Sequence, residues 1–269
     1  MVGRFHKMHG LGNDFVIIDA RENAVVMTPA RVQAITDRHT GIGCDQLIML
    51  EPSDTADAKM RTWNPDGGEV EICGNALRAV ALLLNKDATV ETRGGQVTVF
   101  VKDRSITVDM GQPRFEWGEI PLAYALDTAA MPVAWESLEN PAVVNVGNPH
   151  AVFFVPDSAV VDLARLGPLI ENDPLFPARI NVNVATITGP SSLMLRIWER
   201  GAGLTKACGT GACATAVAAI RSKRVASPVT VTLAGGELVI AWSAGETIRM
   251  TGPATHVFTG EADWAAFGQ

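Results

Sequence analysis

The segment Met60 to Ala81 returns as Leu195 to Ala216, shifted by 135 residues, with seven of 22 positions identical and Cys73-Gly74 falling on Cys208-Gly209. The same shift carries Gly12-Asn13 onto Gly147-Asn148. Beyond the cysteines an offset of 141 aligns Thr89-Val90 with Thr230-Val231, Gly94-Gly95 with Gly235-Gly236, and Gly111 with Gly252. Distant anchors sharing one offset mark an internal duplication, with six extra residues in the second copy. Such a chain is expected to fold as two pseudo-symmetric domains, residues 1–116 with Cys73 and residues 117–269 with Cys208. Equivalent residues would then face one central cleft, and the two cysteines would flank it. The tail after about residue 255 has no counterpart in the first copy and is expected to pack back on the N-terminal domain.

Each half reads as strand, helix, strand, glycine turn, helix and a pair of strands. Phe15 to Asp19 is extended, and Thr28-Pro29 opens a helix with a cap and a first-turn proline. The counterpart of that helix is Ser158 to Ile170. After each cysteine comes an almost continuously apolar run, Asn75 to Asn85 and Thr210 to Arg221, as for a helix buried on most sides. Val97 to Val101 with Ile106 to Met110, and Leu238 to Trp242 with Thr247 to Met250, alternate as β-hairpins. The expected fold class is α/β, of the α+β-like kind, each domain a curved, mostly antiparallel sheet around a buried central helix. The linker is expected within Gln112 to Pro141, where prolines and acidic residues interrupt any period.

At 269 residues, 47% hydrophobic and 19% charged, the chain can bury an ordinary core in each half. No run approaches the roughly 20 apolar residues of a membrane span, and Met1 to Phe15 lacks the pattern of a secretory signal. A cytoplasmic protein that does not engage a membrane is expected. The formal net charge of −7, without a basic block, disfavours nucleic acid as a partner. Cys44, Cys73, Cys208 and Cys213 are too few for a disulfide scaffold and are expected to stay reduced. They also lack zinc-ligand spacing, so no metal is expected.

Cys73-Gly74-Asn75 and Cys208-Gly209-Thr210-Gly211 each sit where an extended segment gives way to a helix. The first N–H groups of a helix have no internal partners and the dipole is positive there, so a thiolate or a carboxylate is stabilised. Thiols in such places are expected to acidify. Asn75 and Thr210 look like the capping residues, and the glycines allow close backbone approach. Two helix starts aimed at one ligand would hold its carboxylate while thiols on opposite faces of the adjacent carbon act as base and acid. That is an arrangement for inverting a stereocentre, and its logic requires no cofactor. Gly10 to Gly12 follows no predicted strand, so no dinucleotide fingerprint is read there. A lone cysteine at a helix start is ordinarily a small buried hydrophobe. The duplication is what turns the pair towards catalysis, whereas Cys44 and Cys213 fall on Arg179 and Arg78 and read as structural.

The offset also matches Asn13 with Asn148, Gln46 with Asn181, and Asn64 with Glu199. Amides and an acid at equivalent positions suggest recognition of a ligand with several carboxylate and ammonium groups, although Asn before Pro also starts turns. Arg200 is placed to clamp a carboxylate. His150 is the only histidine in a duplicated anchor and is a candidate to assist a thiol.

The strings HGLGNDF at 9–15, GIGCDQ at 41–46, EICGN at 71–75, GNPHAVFF at 147–154 and WERGAGLTKACGTGAC at 198–213 together resemble the diaminopimelate epimerase family, in order along nearly the whole chain. The resemblance implies cofactor-independent interconversion of LL- and meso-2,6-diaminoheptanedioate, on the route to lysine and peptidoglycan, with Cys73 and Cys208 as acid and base. It implies substrate contacts at Asn13, Gln46, Asn64, Asn148, Asn181 and Arg200. Gly74, Asn75, Gly209 and Thr210 would hold the reacting carboxylate, with His150 and Glu199 supporting the proton transfers. It also implies a homodimer. Ala76 departs from the family's usual glycine and narrows the space beside the carboxylate. Two other readings remain: a racemase of the same architecture for another amino acid, against which Asn75 argues because proline racemases carry Cys-Gly-His, and a non-catalytic carboxylate-binding protein.

Overall fold

The structure, a computed structural model, describes residues 2–70, 73–103 and 105–268; Glu71 and Ile72 of the EICGN string lie outside the described residues. The first part of the chain forms β1 (Val2–Gly10), β2 (Asn13–Asp19), α1 (Pro29–Thr36), β3 (Gln46–Glu51), β4 (Ala58–Trp63), β5 (Glu69–Val70), α2 (Gly74–Leu84), β6 (Ala88–Thr92), β7 (Gly95–Lys102) and β8 (Ser105–Asp109). It continues through β9 (Ala134–Trp135), β10 (Leu138–Glu139), β11 (Ala142–Asn145), β12 (Pro149–Phe154), α3 (Leu163–Glu171), β13 (Asn181–Gly189), β14 (Ser192–Glu199) and β15 (Gly203–Leu204). The last elements are α4 (Gly209–Arg221), β16 (Val229–Leu233), β17 (Gly236–Ala241), β18 (Arg249–Gly252) and β19 (Thr255–Asp263). No helix among the described residues is long and apolar enough to cross a membrane.

The chain divides into one unit of residues 1–108 with 252–269 and another of residues 109–251. The dividing point precedes the expected 116/117 boundary. The stretch expected as a linker, 112–141, belongs to the second unit because Ile120, Leu122, Met131 and Leu138 are buried in its core.

In the first unit β1 pairs antiparallel with both β19 and β2. β2 pairs parallel with β3, β3 antiparallel with β4, and β4 parallel with β6, which continues antiparallel through β7 to β8. Thr28 caps α1 by accepting from the Arg31 N–H, and Pro29 occupies the first turn, as read from the sequence. α2 is buried from Gly74 to Ala81 and ends at Asn85, whose left-handed backbone (φ 53°) suits asparagine.

The second unit repeats this plan pair for pair. β11–β12 is antiparallel, β12–β13 parallel, β13–β14 antiparallel and β14–β16 parallel, continuing through β17 to β18. The agreement extends to register. Phe15 opposite Gln46 becomes His150 opposite Asn181, Trp63 opposite Glu69 becomes Trp198 opposite Leu204, and Ala58 opposite Val90 becomes Leu193 opposite Val231. Because a one-residue slip would turn every side chain to the other face, shared register means that equivalent residues occupy equivalent environments. α4 has ten buried residues and packs on β11 to β14, β16 and β17.

Two local expectations differ from the structure. Ser158 to Ile170 is not one helix: Asp157 caps a 3-10 turn at Ser158–Val160, and Asp162 then caps α3 afresh. Gly10 to Gly12 does follow a strand, β1, but leads into the antiparallel partner β2 instead of a helix. A hairpin turn presents no helix start to a phosphate, so the dinucleotide fingerprint fails for that reason.

Candidate active site

In the first unit the β1–β2 turn sets Asn13. Gly12 has φ +86° and its equivalent Gly147 φ +105°, a backbone region open to glycine at little cost. The Asn13 amide is then oriented from both ends. Its Nδ2 donates to Asp45 Oδ2 (3.1 Å), and its Oδ1 accepts from Asn75 Nδ2 (3.2 Å) and stands 3.9 Å from the Cys73 sulfur. Asp45 is held in turn by Arg38, which also bonds Asp14. Burial works to raise the Asp14 carboxyl, but hydrogen bonds from Arg38 and Lys7 prevail and hold it below the ordinary carboxylate range. A rigid charged clasp thus fixes which end of Asn13 faces the thiol.

Cys73, with extended backbone, is itself the N-cap of α2, and Asn75 lies within the first turn as its second residue. The expectation that Asn75 caps the helix is therefore corrected. Its side chain binds Asn13 and accepts from the fully buried Arg78 (2.9 Å). Gln46 donates to Asn64 Oδ1 (3.0 Å), while Gln46 Oε1 is buried without a hydrogen-bond partner among the described residues.

In the second unit Cys208 is the N-cap of α4, its sulfur accepting from the Gly211 N–H (3.4 Å) and lying 3.4 Å from Thr210 Oγ1. Thr210, like Asn75, is a first-turn residue and not the cap. The thiol is not acidified as the helix start suggested. Burial pushes it well above its ordinary value, and the neighbouring Glu199 carboxylate adds to the effect by repelling a thiolate and accepting the S–H. Burial likewise raises the Glu199 carboxyl, against hydrogen bonds from Thr205 and Cys208. Cys208 and Glu199 therefore form a pair that resists carrying two negative charges.

Asn181 is 3% exposed with both ends of its amide engaged, donating to Pro149 O (2.9 Å) and accepting from the Arg200 N–H (2.9 Å). It ties the β12 start to the turn that presents Arg200, whose guanidinium is exposed and reaches Ala178 O (2.8 Å). His150 is fully buried on β12, its Nε2 2.9 Å from Asn148 Oδ1 and its Nδ1 3.3 Å from Asn183 Oδ1. Burial pulls its pKa down to about 4, against the Asn183 hydrogen bond and with Arg200, so the ring is neutral near pH 7.

The structure thus gathers Asn13, Asn75 and Cys73 into direct contact in one unit, with Gln46 on Asn64, and Cys208, Thr210 and Glu199 in the other, with His150 on Asn148. Sequence reasoning missed Asp45, Arg78, Asn183, Thr205 and Thr215. A signal existed for some of them: Arg78, Asn183 and Thr215 are polar residues inside otherwise apolar runs. Among the described residues no cluster of three or more His, Cys, Asp or Glu side chains is arranged to hold a metal ion.

A likeness to solved structures supports the fold. The chain overlays a PhzF-family phenazine biosynthesis protein of Enterococcus faecalis with TM-score 0.72 at 14% identity, covering 98% of this chain and 100% of that one. It overlays a hydroxyproline epimerase from Agrobacterium vitis with TM-score 0.68 at 16% identity, covering 97% and 91%. Sequence relatives are much nearer. The chain is 63% identical over 268 residues to a diaminopimelate epimerase of Sphingopyxis alaskensis, covering 100% of both, and 64% identical over 266 residues to one of Rhizorhabdus wittichii, covering 98% and 97%. A diaminopimelate epimerase of Zymomonas mobilis is 56% identical, covering 99% and 100%. The diaminopimelate epimerase family model matches residues 5–116 and 142–257, the two repeats that carry the cysteine-capped helices. The chain belongs to the diaminopimelate epimerase family, and it is an amino-acid epimerase.

Proposed function

We propose that the chain interconverts LL- and meso-2,6-diaminoheptanedioate by moving a proton at one α-carbon, with Cys73 and Cys208 as the acid–base pair. The observation that carries this reading is the equivalence of the two cysteines, each the N-cap of a mostly buried helix at the same place in its repeat. In one direction the Cys73 thiolate takes the α-proton, breaking C–H and forming S–H, and the carbanion takes the Cys208 proton on its opposite face. Burial and Glu199 keep Cys208 protonated at rest, which suits it to begin as the acid. In the reverse direction Cys208 becomes the base, so its proton must leave first. Glu199, whose own carboxyl is raised by burial and which already accepts the S–H, is placed to take that proton and become neutral, so the pair does not carry two negative charges. The charge that develops on the substrate carboxylate is met by the N–H groups of the first turns, at Gly74-Asn75 and Gly209-Thr210.

The distal amino-acid end requires acceptors for its ammonium and donors for its carboxylate. Asn64, Asn148 and Arg200 supply both kinds, and the orphaned Gln46 Oε1 is an acceptor that a ligand donor would satisfy, while Asn13, with its Oδ1 beside the Cys73 sulfur, meets the reacting end. Asn181 acts by holding Arg200 and Pro149 in place. The family assignment supports a role in making lysine and peptidoglycan precursors, in the cytoplasm and as a homodimer.

Turnover of LL-2,6-diaminoheptanedioate by Cys73→Ser and Cys208→Ser tests the assignment. A hydroxyl is a far weaker acid than a thiol and is essentially never ionised near neutral pH, so it neither gives nor takes the α-proton readily, and each variant should lose about 10²–10⁴-fold in kcat. Near-normal turnover by either variant would overturn the two-thiol mechanism.

A further inference from the structure

His150, Asn183 and Thr215 stand 135 residues beyond Phe15, Ile48 and Val80, and all six side chains are fully buried. The fold fills the same place with apolar groups in one unit and with polar groups in the other. Apolar packing suffices for the fold, and buried polar groups add cost unless each is satisfied. The polar trio is therefore retained for something other than packing.

Its hydrogen bonds run in one direction. Thr215 Oγ1 donates to Gly211 O (2.7 Å), and Asn183 Nδ2 donates to Thr215 Oγ1 (3.0 Å) and to Gly211 O (3.1 Å). Both amide hydrogens of Asn183 are thereby committed, and its Oδ1 is locked towards His150 Nδ1. The ring thus lies between two amide oxygens, Asn183 Oδ1 and Asn148 Oδ1. A neutral imidazole has a single N–H and can satisfy only one of them. Asn183 is pinned from behind, so it claims that N–H at Nδ1 and leaves Nε2 as an acceptor. The Asn148 side chain has no other hydrogen bond among the described residues and is able to turn its NH2 to Nε2.

We infer that Asn183 is a positioning residue: by fixing the His150 tautomer it sets which end of the Asn148 amide a ligand meets, the carbonyl oxygen, which suits an ammonium group. The identity of that ammonium rests on the proposed function, but the tautomer does not.

Nitrogen-15 NMR of the imidazoles in the purified protein at pH 7, with His150 assigned by its absence in His150→Phe, reads the tautomer directly. Protonation at Nδ1 is expected, and protonation at Nε2 overturns the inference. Asn183→Leu removes the acceptor; it should shift the ring towards Nε2–H and raise KM for LL-2,6-diaminoheptanedioate about tenfold, with kcat changed far less. A merely structural role would instead lower the active fraction, hence kcat, at constant KM. A switched tautomer with unchanged KM overturns the statement about Asn148. Should Asn183→Leu fail to fold, the wild-type spectrum still decides, and Thr215→Val, which borrows the residue of the first repeat, should weaken the Nδ1–H preference. A protein with no epimerase activity at all would sink the proposed substrate while leaving the tautomer measurement intact.

Discussion

Cys208 shows how two effects at one residue compete. The first-turn N–H groups favour a thiolate by about 0.3–1 kcal/mol, whereas full burial beside a carboxylate acts more strongly in the other direction. The sequence displays the helix start but not the burial, which is why acidification was expected and is not found. His150 carries a prediction of its own. Its pKa drops from 6.5 to about 4 on folding, so between those values the unfolded chain binds a proton that the folded chain cannot. Stability is therefore complete above about pH 6.5 and is lost as pH falls towards 4, by up to about 3 kcal/mol. Denaturant midpoints measured at pH 7 and pH 4.5 should converge in His150→Phe, which places the first repeat's residue there. An unchanged pH slope in that variant would show that another group carries the loss. The matching places of Cys73 and Cys208 at helix starts were legible from the duplication, whereas His150 falls on Phe15 and stood out by residue type alone. Asp45 was not legible, because it acts by gripping Asn13, distant in sequence, and Thr205 was not, because its grip on Glu199 six residues earlier depends on how the β14–β15 turn folds.

The two cysteine-capped helices are alike in placement and differ in how closely they pack. A Cβ on Gly211 would meet Ile197 Cδ1 at 2.5 Å and Asn183 Oδ1 at 3.5 Å. The counterparts of Gly211 and Ile197 in the first repeat are Ala76 and the shorter Thr62, both buried. The alanine that looks like a departure in the sequence is thus matched by a smaller residue on the strand it faces. Gly211→Ala should be destabilising by about 1 kcal/mol, overpacking outweighing the gain in helix propensity. Combined with Ile197→Thr, it should cost less than the two single changes added together, by about 1 kcal/mol of coupling. Strict additivity in a double-mutant cycle of unfolding free energies would contradict this account. The helices themselves were readable to within a residue of their ends, since long apolar runs leave little choice. The 3-10 turn before α3 was not, because Asp157 and Asp162 offer two caps and only packing decides between one helix and two segments.

At the scale of the molecule the duplication was the most legible property, and the shared strand register carries it through. What escaped notice broke the periodic signal. β1 has a register shift between Lys7 and Met8 where it meets β19, so Phe5 and Met8 are buried at a spacing that does not alternate. Among the described residues β19 has no counterpart strand in the other repeat, only an isolated bridge of Arg114 with Asn145, and its side chains are largely exposed, so neither duplication nor hydrophobic pattern marked it as a strand. Yet it is the pairing of β19 with β1 that returns the end of the chain to the unit where it began. The central claim requires both repeats to act on one carbon, one removing a proton and the other supplying a different one. The most direct test is conversion of LL-2,6-diaminoheptanedioate in D2O, stopped at low conversion, with hydrogen isotopes read at the α-carbons of product and recovered substrate. Two thiols should give a meso product that carries deuterium at the inverted carbon, while unreacted LL substrate retains protium. A product that keeps its original protium would mean that one base carries the proton across, and the two-thiol account would be wrong.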